Sequence, residues 1–185
     1  MNRGKAMRQQ EMVMGAAFWF LVSVFLAFSA GHARGDTLAG DEAWQQFRGQ
    51  VLFSDVLFAP SAEFPSAGAR TASLRRNGRN TVQSTDGFWR LHCVAFLDQE
   101  PKTTTVVVRA TDVTEPAKRH EVRVFHATVG SGQKELAVDD LVLTDSMGFQ
   151  RGHRYEITVE QSDEDPGASA AGKRDVYAKG VVTLR

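Results

Sequence analysis

The sequence predicts an all-β domain, an antiparallel β-sandwich of about seven strands preceded by a signal peptide. Three observations predict it. Residues 1–33 carry the three-part pattern of a secretory leader. The remainder is a series of short runs rich in Val, Phe, Thr and Tyr, separated by Gly, Pro, Asp and Ser. No long helical pattern lies between those runs, so antiparallel sheets packed face to face are the expected way to bury them. A chain of 185 residues is one ordinary domain plus a leader. Its 42% hydrophobic and 24% charged content excludes full disorder and collagen-like structure.

The leader begins with Arg3, Lys5 and Arg8 and continues into an uncharged run from Met12 to Gly31. Small residues at Gly31 and Ala33 place peptidase cleavage after Ala33, with Ala27-Phe28-Ser29 as a second exit. The alternative is an uncleaved anchor, since the run approaches the roughly 20 residues that span a bilayer. Either way residues 34–185 are expected in the periplasm or outside the cell. Lipid attachment at an N-terminal cysteine is excluded, because the single cysteine is Cys93. That cysteine count also excludes an intramolecular disulfide framework and any Cys-rich zinc site.

The 22 basic and 22 acidic residues balance; without the leader 19 basic and 21 acidic remain. Such a balance gives no broad basic footprint for nucleic acid. Residues 34–48 read as a polar linker in which Glu42–Phe47 allows one helical turn. The domain proper is placed at 49–185. Its strands are expected at Val51–Phe58, Phe88–Leu97, Thr103–Asp112, Glu121–Val129, Glu135–Leu143, Tyr155–Gln161 and Val176–Leu184. The fifth is expected to be interrupted near Asp139-Asp140. Period-2 alternation sets Tyr155, Ile157 and Val159 on one face of the sixth strand and Glu156, Thr158 and Glu160 on the other. The second strand has an apolar face (Trp89, Leu91, Cys93, Ala95, Leu97) and a mixed one, so it is expected to be central and covered on both sides. Val106, Val108, Val124 and Leu141 complete the expected core. Within the long connection Ser61–Gly87, Ala69–Arg76 fits a short helix with Leu74 inward, and Asn77-Gly78-Arg79-Asn80 fits a turn. The connection Ser162–Arg174 has almost nothing to bury.

The stretch Phe149-Gln150-Arg151-Gly152-His153-Arg154-Tyr155-Glu156-Ile157-Thr158-Val159 resembles the corner entering the sixth strand of immunoglobulin-like and fibronectin type III-like domains. The resemblance implies an immunoglobulin-like β-sandwich in which Tyr155 packs at the corner and returns its hydroxyl to nearby backbone. The inter-sheet cysteine pair of those domains is absent, and the loop after the first strand is long.

Candidate sites are few. His92-Cys93 places a base beside a thiol, but neighbours on a strand point to opposite faces, so Cys93 reads as structural core with Trp89 and Tyr155. His92, His120, His126 and His153 are scattered, without the helical spacing of a zinc site. Cleavage after Gly31 would expose His32 as a terminal amine-imidazole ligand for copper, the ligand set of small exported copper carriers. The loop Ser162-Asp163-Glu164-Asp165-Pro166-Gly167 is acidic, but Pro166 spoils a calcium-loop register. Arg34-Gly35-Asp36 is too short to inform. The dense basic cluster Arg75, Arg76 and Arg79, with apolar Phe64 in the same loop, is the candidate binding surface for an envelope protein or anionic polymer. No metal, cofactor or catalytic motif is expected. These features favour an exported, non-catalytic binding module of a bacterial envelope. The alternative is a periplasmic copper carrier or small hydrolase using dispersed His and acidic groups.

Overall fold

The computed structural model describes residues 37–161 and 175–185, with side chains from residue 42 onward. The leader, the Arg34-Gly35-Asp36 tripeptide and the acidic loop lie outside the described residues. The elements in chain order are α1 (Thr37–Phe47), β1 (Gln50–Ser54), α2 (Ala67–Asn77), β2 (Thr81–Val82), β3 (Phe88–Phe96), β4 (Thr105–Asp112), β5 (His120–Thr128), β6 (Glu135–Thr144), β7 (Arg154–Gln161) and β8 (Val176–Leu184). The described residues are therefore mostly β. Their eight strands form one mixed sheet, ordered β5-β4-β7-β8-β1-β3-β6, with β2 attached to β8.

The sheet is curled into a half-barrel. Flat, seven strands about 4.8 Å apart would hold β5 and β6 roughly 29 Å from each other. Instead Ala127 of β5 and Leu136 and Leu143 of β6 join one apolar cluster with Trp89, Leu91, Val106, Val108, Tyr155, Ile157 and Val159. That cluster fills the inner face. On the outer face, α1 and α2 cover β3. Ala43, Phe47 and Leu74 pack there on Val94 and Phe96, so β3 is covered on both sides, as its sequence predicts.

Several sequence expectations change. The strands lie on one hydrogen-bonded path, and β8 pairs in parallel with β1 and β2. The all-antiparallel pairing expected from the sequence is thus corrected to a mixed one, with the strands joined in one curled sheet. Parallel pairing between chain segments this distant leaves no local sequence signal. Residues 34–48 are not all linker, since α1 occupies Thr37–Phe47 and buries Ala43 and Phe47. The first strand stops at Ser54, whose buried Oγ accepts the Val56 N–H at 3.0 Å and turns the chain out of the sheet. Val56 and Leu57 are consequently exposed. Val124 is only half-buried, because β5 is an edge strand and Val124 lies opposite Arg109, away from the inner face. The irregularity expected at Asp139-Asp140 is a bulge: β3–β6 pairing shifts register between Leu91 and Cys93, and Asp140 takes a left-handed φ of 54°.

Tyr155 is fully buried and its ring meets Phe149 edge-on at 4.9 Å. Its hydroxyl accepts the Gln150 N–H at 2.7 Å, so the corner expected from the sequence is built. Burial pushes this phenol above its ordinary pKa, against the Gln150 bond and with the help of the Asp112 and Asp145 charges. Tyr155→Phe keeps the packing and deletes the acceptor. It is expected to cost about 1 kcal/mol, read as a lower urea midpoint with an unchanged m-value.

Candidate functional site

The alternation of β7 that sends Tyr155, Ile157 and Val159 inward sends Glu156, Thr158 and Glu160 to the outer face. There they meet a row of charges from the neighbouring strands. Arg109 of β4 donates from Nε to Glu160 Oε2 at 3.0 Å and also pairs with Glu121 of β5. Thr158 donates to Glu160 Oε1 at 2.5 Å. Arg119, just before β5, pairs with Glu156. Glu160 is 6% exposed, so its pairing satisfies a carboxylate largely removed from water.

Above this row lies a cleft of about 530 Å³, within the ~300–1,000 Å³ typical of small-molecule sites. Glu156, Thr158 and Glu160 form one wall with Arg119, and Val176, Tyr177, Ala178 and Lys179 of β8 form another. Gly49 and Asp98 close the side nearest α1. Gly49 has a φ of 74°, which glycine adopts without strain. Its N–H donates to Phe96 O at 2.7 Å and its carbonyl accepts the Lys179 N–H at 3.0 Å. Asp98 follows β3, held by its N–H to Tyr177 O at 2.8 Å. Its Oδ1 is shut off from water and has no hydrogen-bond partner. The Lys179 side chain is exposed and pairs with no carboxylate among the described residues.

A second polar constellation sits where β4 ends and β7 begins. Asp112, 5% exposed, accepts from His153 Nδ1 through Oδ2 at 2.6 Å and from the Thr114 N–H through Oδ1 at 2.8 Å. Burial pushes the Asp112 carboxyl up. The bonds from His153 and from the Thr114 backbone and hydroxyl, with the charge of His153, outweigh burial and hold it below its ordinary value. His153 stacks on Tyr155 with ring centroids 6.4 Å apart. The pair ties β4 to the Tyr155 corner.

The sequence-predicted residues fall elsewhere. Cys93 is buried among the inner-face residues, and burial, with the Asp139 charge, pushes its thiol up to about 12. His92 points to the opposite face, where its Nδ1 accepts the Asp140 N–H at 3.4 Å. Trp89 donates from Nε1 to Arg185 O at 3.0 Å, fastening the C-terminus to β3. Arg75 and Arg76 lie in the last turn of α2 and Arg79 just beyond it. All three are exposed, but Arg79 spends its guanidinium on the Arg76 and Gly78 carbonyls at 2.6 and 3.1 Å, closing the helix end. Phe64 is half-buried ahead of the other end of α2. Eleven helical residues extend about 16 Å, so Phe64 and the arginines are not brought together. Among the described residues no three His, Cys, Asp or Glu side chains converge as a metal-ligand set. His32 lies outside them. No described helix is long and apolar enough to cross a membrane.

None of the predicted residues lines the cleft. One signal for it was present in the polar face Glu156-Thr158-Glu160, which reads equally well as a solvated strand face. Comparison of the sequence with protein-family models and with curated proteins finds no match.

The Asp112 pair sets a pH dependence. A carboxylate whose folded pKa is depressed contributes stability that is present above its unfolded pKa of about 3.9 and lost as pH falls through the folded value. Asp112→Ala is expected to cost about 2 kcal/mol at neutral pH. That deficit against the parent protein should shrink as unfolding is measured progressively below pH 4. The thiol is expected to be inert: native protein should label slowly at Cys93 and unfolded protein quickly. Cys93→Ser should lose about 1–3 kcal/mol by burying a hydroxyl without a good partner.

Proposed function

We propose that the protein is an exported, non-catalytic binding module of a bacterial envelope, periplasmic or secreted, whose ligand seat is the cleft over the outer face of β7 and β8. One observation carries the reading: in a cleft of small-ligand size, Glu156 and Glu160 already spend oxygens on Arg119, Arg109 and Thr158, while Asp98 and Lys179 remain uncommitted. Committed acids build a recognition surface, whereas hydrolysis by an acid pair needs two released carboxylates and this cleft keeps one, Asp98. Export rests on the leader pattern. The immunoglobulin-like reading rests on the Tyr155 corner and the run of short strands.

A second reading places partner contact at the C-terminal end of α2. Exposed Val56 and Leu57 favour it. They leave β1 beside Arg79, whose N–H donates to Phe53 O at 2.7 Å. Apolar area would then sit next to Arg75, Arg76 and Arg79. An envelope protein or anionic polymer would be the partner.

Both readings are tested by one titration. Isotope-labelled mature protein is mixed with peptide and glycan fragments of the envelope while amide resonances are followed. Shifts at Thr158, Val176 and Lys179 are expected. Shifts confined to Val56–Leu57 and Arg75–Arg79, abolished at high salt and by the triple change Arg75→Ala, Arg76→Ala, Arg79→Ala, would transfer the seat to α2. Steady cleavage of the fragments would overturn the non-catalytic assignment.

A further inference from the structure

We infer that the turn leaving β1, together with the C-terminal end of α2, seats the protein on an anionic phospholipid bilayer. This surface is separate from the cleft and, in place of an envelope protein or polymer, takes one partner. Val56 and Leu57 are adjacent in the chain and 51% and 56% exposed. The one other exposed large hydrophobic side chain among the described residues, Val176, stands on β8. The pair is held outward at both ends. Ahead of it, the buried Ser54 Oγ accepts the Val56 N–H at 3.0 Å. Behind it, Phe58 packs on the outer-face cluster of Phe47, Leu74, Val94 and Phe96.

The basic residues stand at the same end of the sheet. The Arg79 N–H bonded to Phe53 O ties the end of α2 to the end of β1. Arg75, Arg76 and Arg79 are exposed and form no ion pair among the described residues. Their bonds go to neutral groups: the Gln46 side-chain amide meets Arg75, and the Arg76 and Gly78 carbonyls meet Arg79. Such bonds fix a guanidinium in place without cancelling its charge. Asp55 is the one carboxylate in the turn itself, so positive charge prevails. Two aliphatic side chains are too little apolar area for a stable protein interface, which takes about 800 Å² from each partner. A bilayer asks for less. Apolar side chains enter the boundary between headgroups and acyl chains, and basic side chains stay among the anionic headgroups. A soluble polyanion would engage the arginines and leave Val56 and Leu57 in water, so the two halves of the surface can be measured apart.

The test uses the exported form, residues 34–185. The probes are vesicles of phosphatidylcholine alone, vesicles of phosphatidylcholine mixed with phosphatidylglycerol, and dextran sulfate as a soluble polyanion. Vesicle binding is read by co-sedimentation, and far-UV circular dichroism verifies that each variant is folded. The mixed vesicles are expected to bind at least about ten-fold more tightly than phosphatidylcholine alone, an advantage that shrinks as salt is raised. The triple change Arg75→Ala, Arg76→Ala, Arg79→Ala should abolish that advantage. Arg79 also closes α2, so Arg76→Ala provides a variant that leaves the helix end intact, with an expected loss of about five-fold. The double change Val56→Ser, Leu57→Ser should weaken binding to mixed vesicles about ten-fold and leave dextran sulfate binding as it was. Arg123→Ala, an exposed site on β5, should change neither. Equal binding to both kinds of vesicle, or to neither, would overturn the inference. So would a loss from Arg123→Ala as large as that from Arg76→Ala. If the double serine variant holds mixed vesicles as well as the parent does, the surface is a polyanion site and the lipid assignment falls. None of these outcomes depends on whether envelope fragments shift the cleft resonances.

Discussion

The architecture depends on the seam where β8 meets β1. On one side lie β5, β4 and β7, and on the other β3 and β6, each set joined by long antiparallel ladders. Across the seam the two sets share a single parallel pair, Gln50 with Lys179. Close approach makes up for the short ladder. A Cβ on Gly180 would stand 2.3 Å from Val51 O and 2.8 Å from the Phe53 ring. Only glycine allows β8 to run against β1 at that distance, and without it the backbones must separate. With the seam closed, both halves face one apolar interior and the sheet curls.

Outside that interior the structure spends charge to fix position. Arg70, 2% exposed, pairs with Glu135 and lies over the Phe96 ring with 5.8 Å to its centroid. Its Nε and Nη1 have no hydrogen-bond partner. A buried cation held this way contributes little net stability, but removing its carboxylate alone would strand it, at a cost of about 3–5 kcal/mol. The interaction therefore reads as a positioning device that docks α2 against the end of β6. The Arg109–Glu160–Thr158 group does the same for β4 and β7 under the cleft floor.

The strands were legible because their signals are local. Alternation in β7 and the apolar face of β3 depend on neighbouring residues alone, and so does the Tyr155 corner, where acceptor and donor are five residues apart. The seam was not legible, since its requirement for Gly180 exists only once Val51 arrives from far along the chain. The cleft was hidden for the same reason. Glu160, Arg119, Asp98 and Lys179 come from β7, from the residues just before β5, from the end of β3 and from β8. The basic cluster was conspicuous in sequence because its arginines are adjacent, yet adjacency there reflects the end of a helix whose carbonyls Arg79 bonds.

The helix α1, which falls in a stretch that reads as linker, connects these levels. Trp44 donates from Nε1 to Leu97 O at 2.5 Å, and Arg48 from Nε to Asp98 O at 2.8 Å. Phe47 packs on Phe96 with ring centroids 5.4 Å apart. These three contacts fix the end of β3 and hence the backbone that carries Asp98 into the cleft. Gly49 lies two residues past the end of α1 and bonds to both β3 and β8 through Phe96 and Lys179. The residues linking α1 to β1 therefore set the span between Asp98 and Lys179. Loosening α1 would change that span while leaving the inner-face core intact, because Trp44 and Phe47 belong to the separate apolar cluster on the outer face. The apolar core and the charged cleft thus lie on different faces of one sheet, joined at the seam that both require.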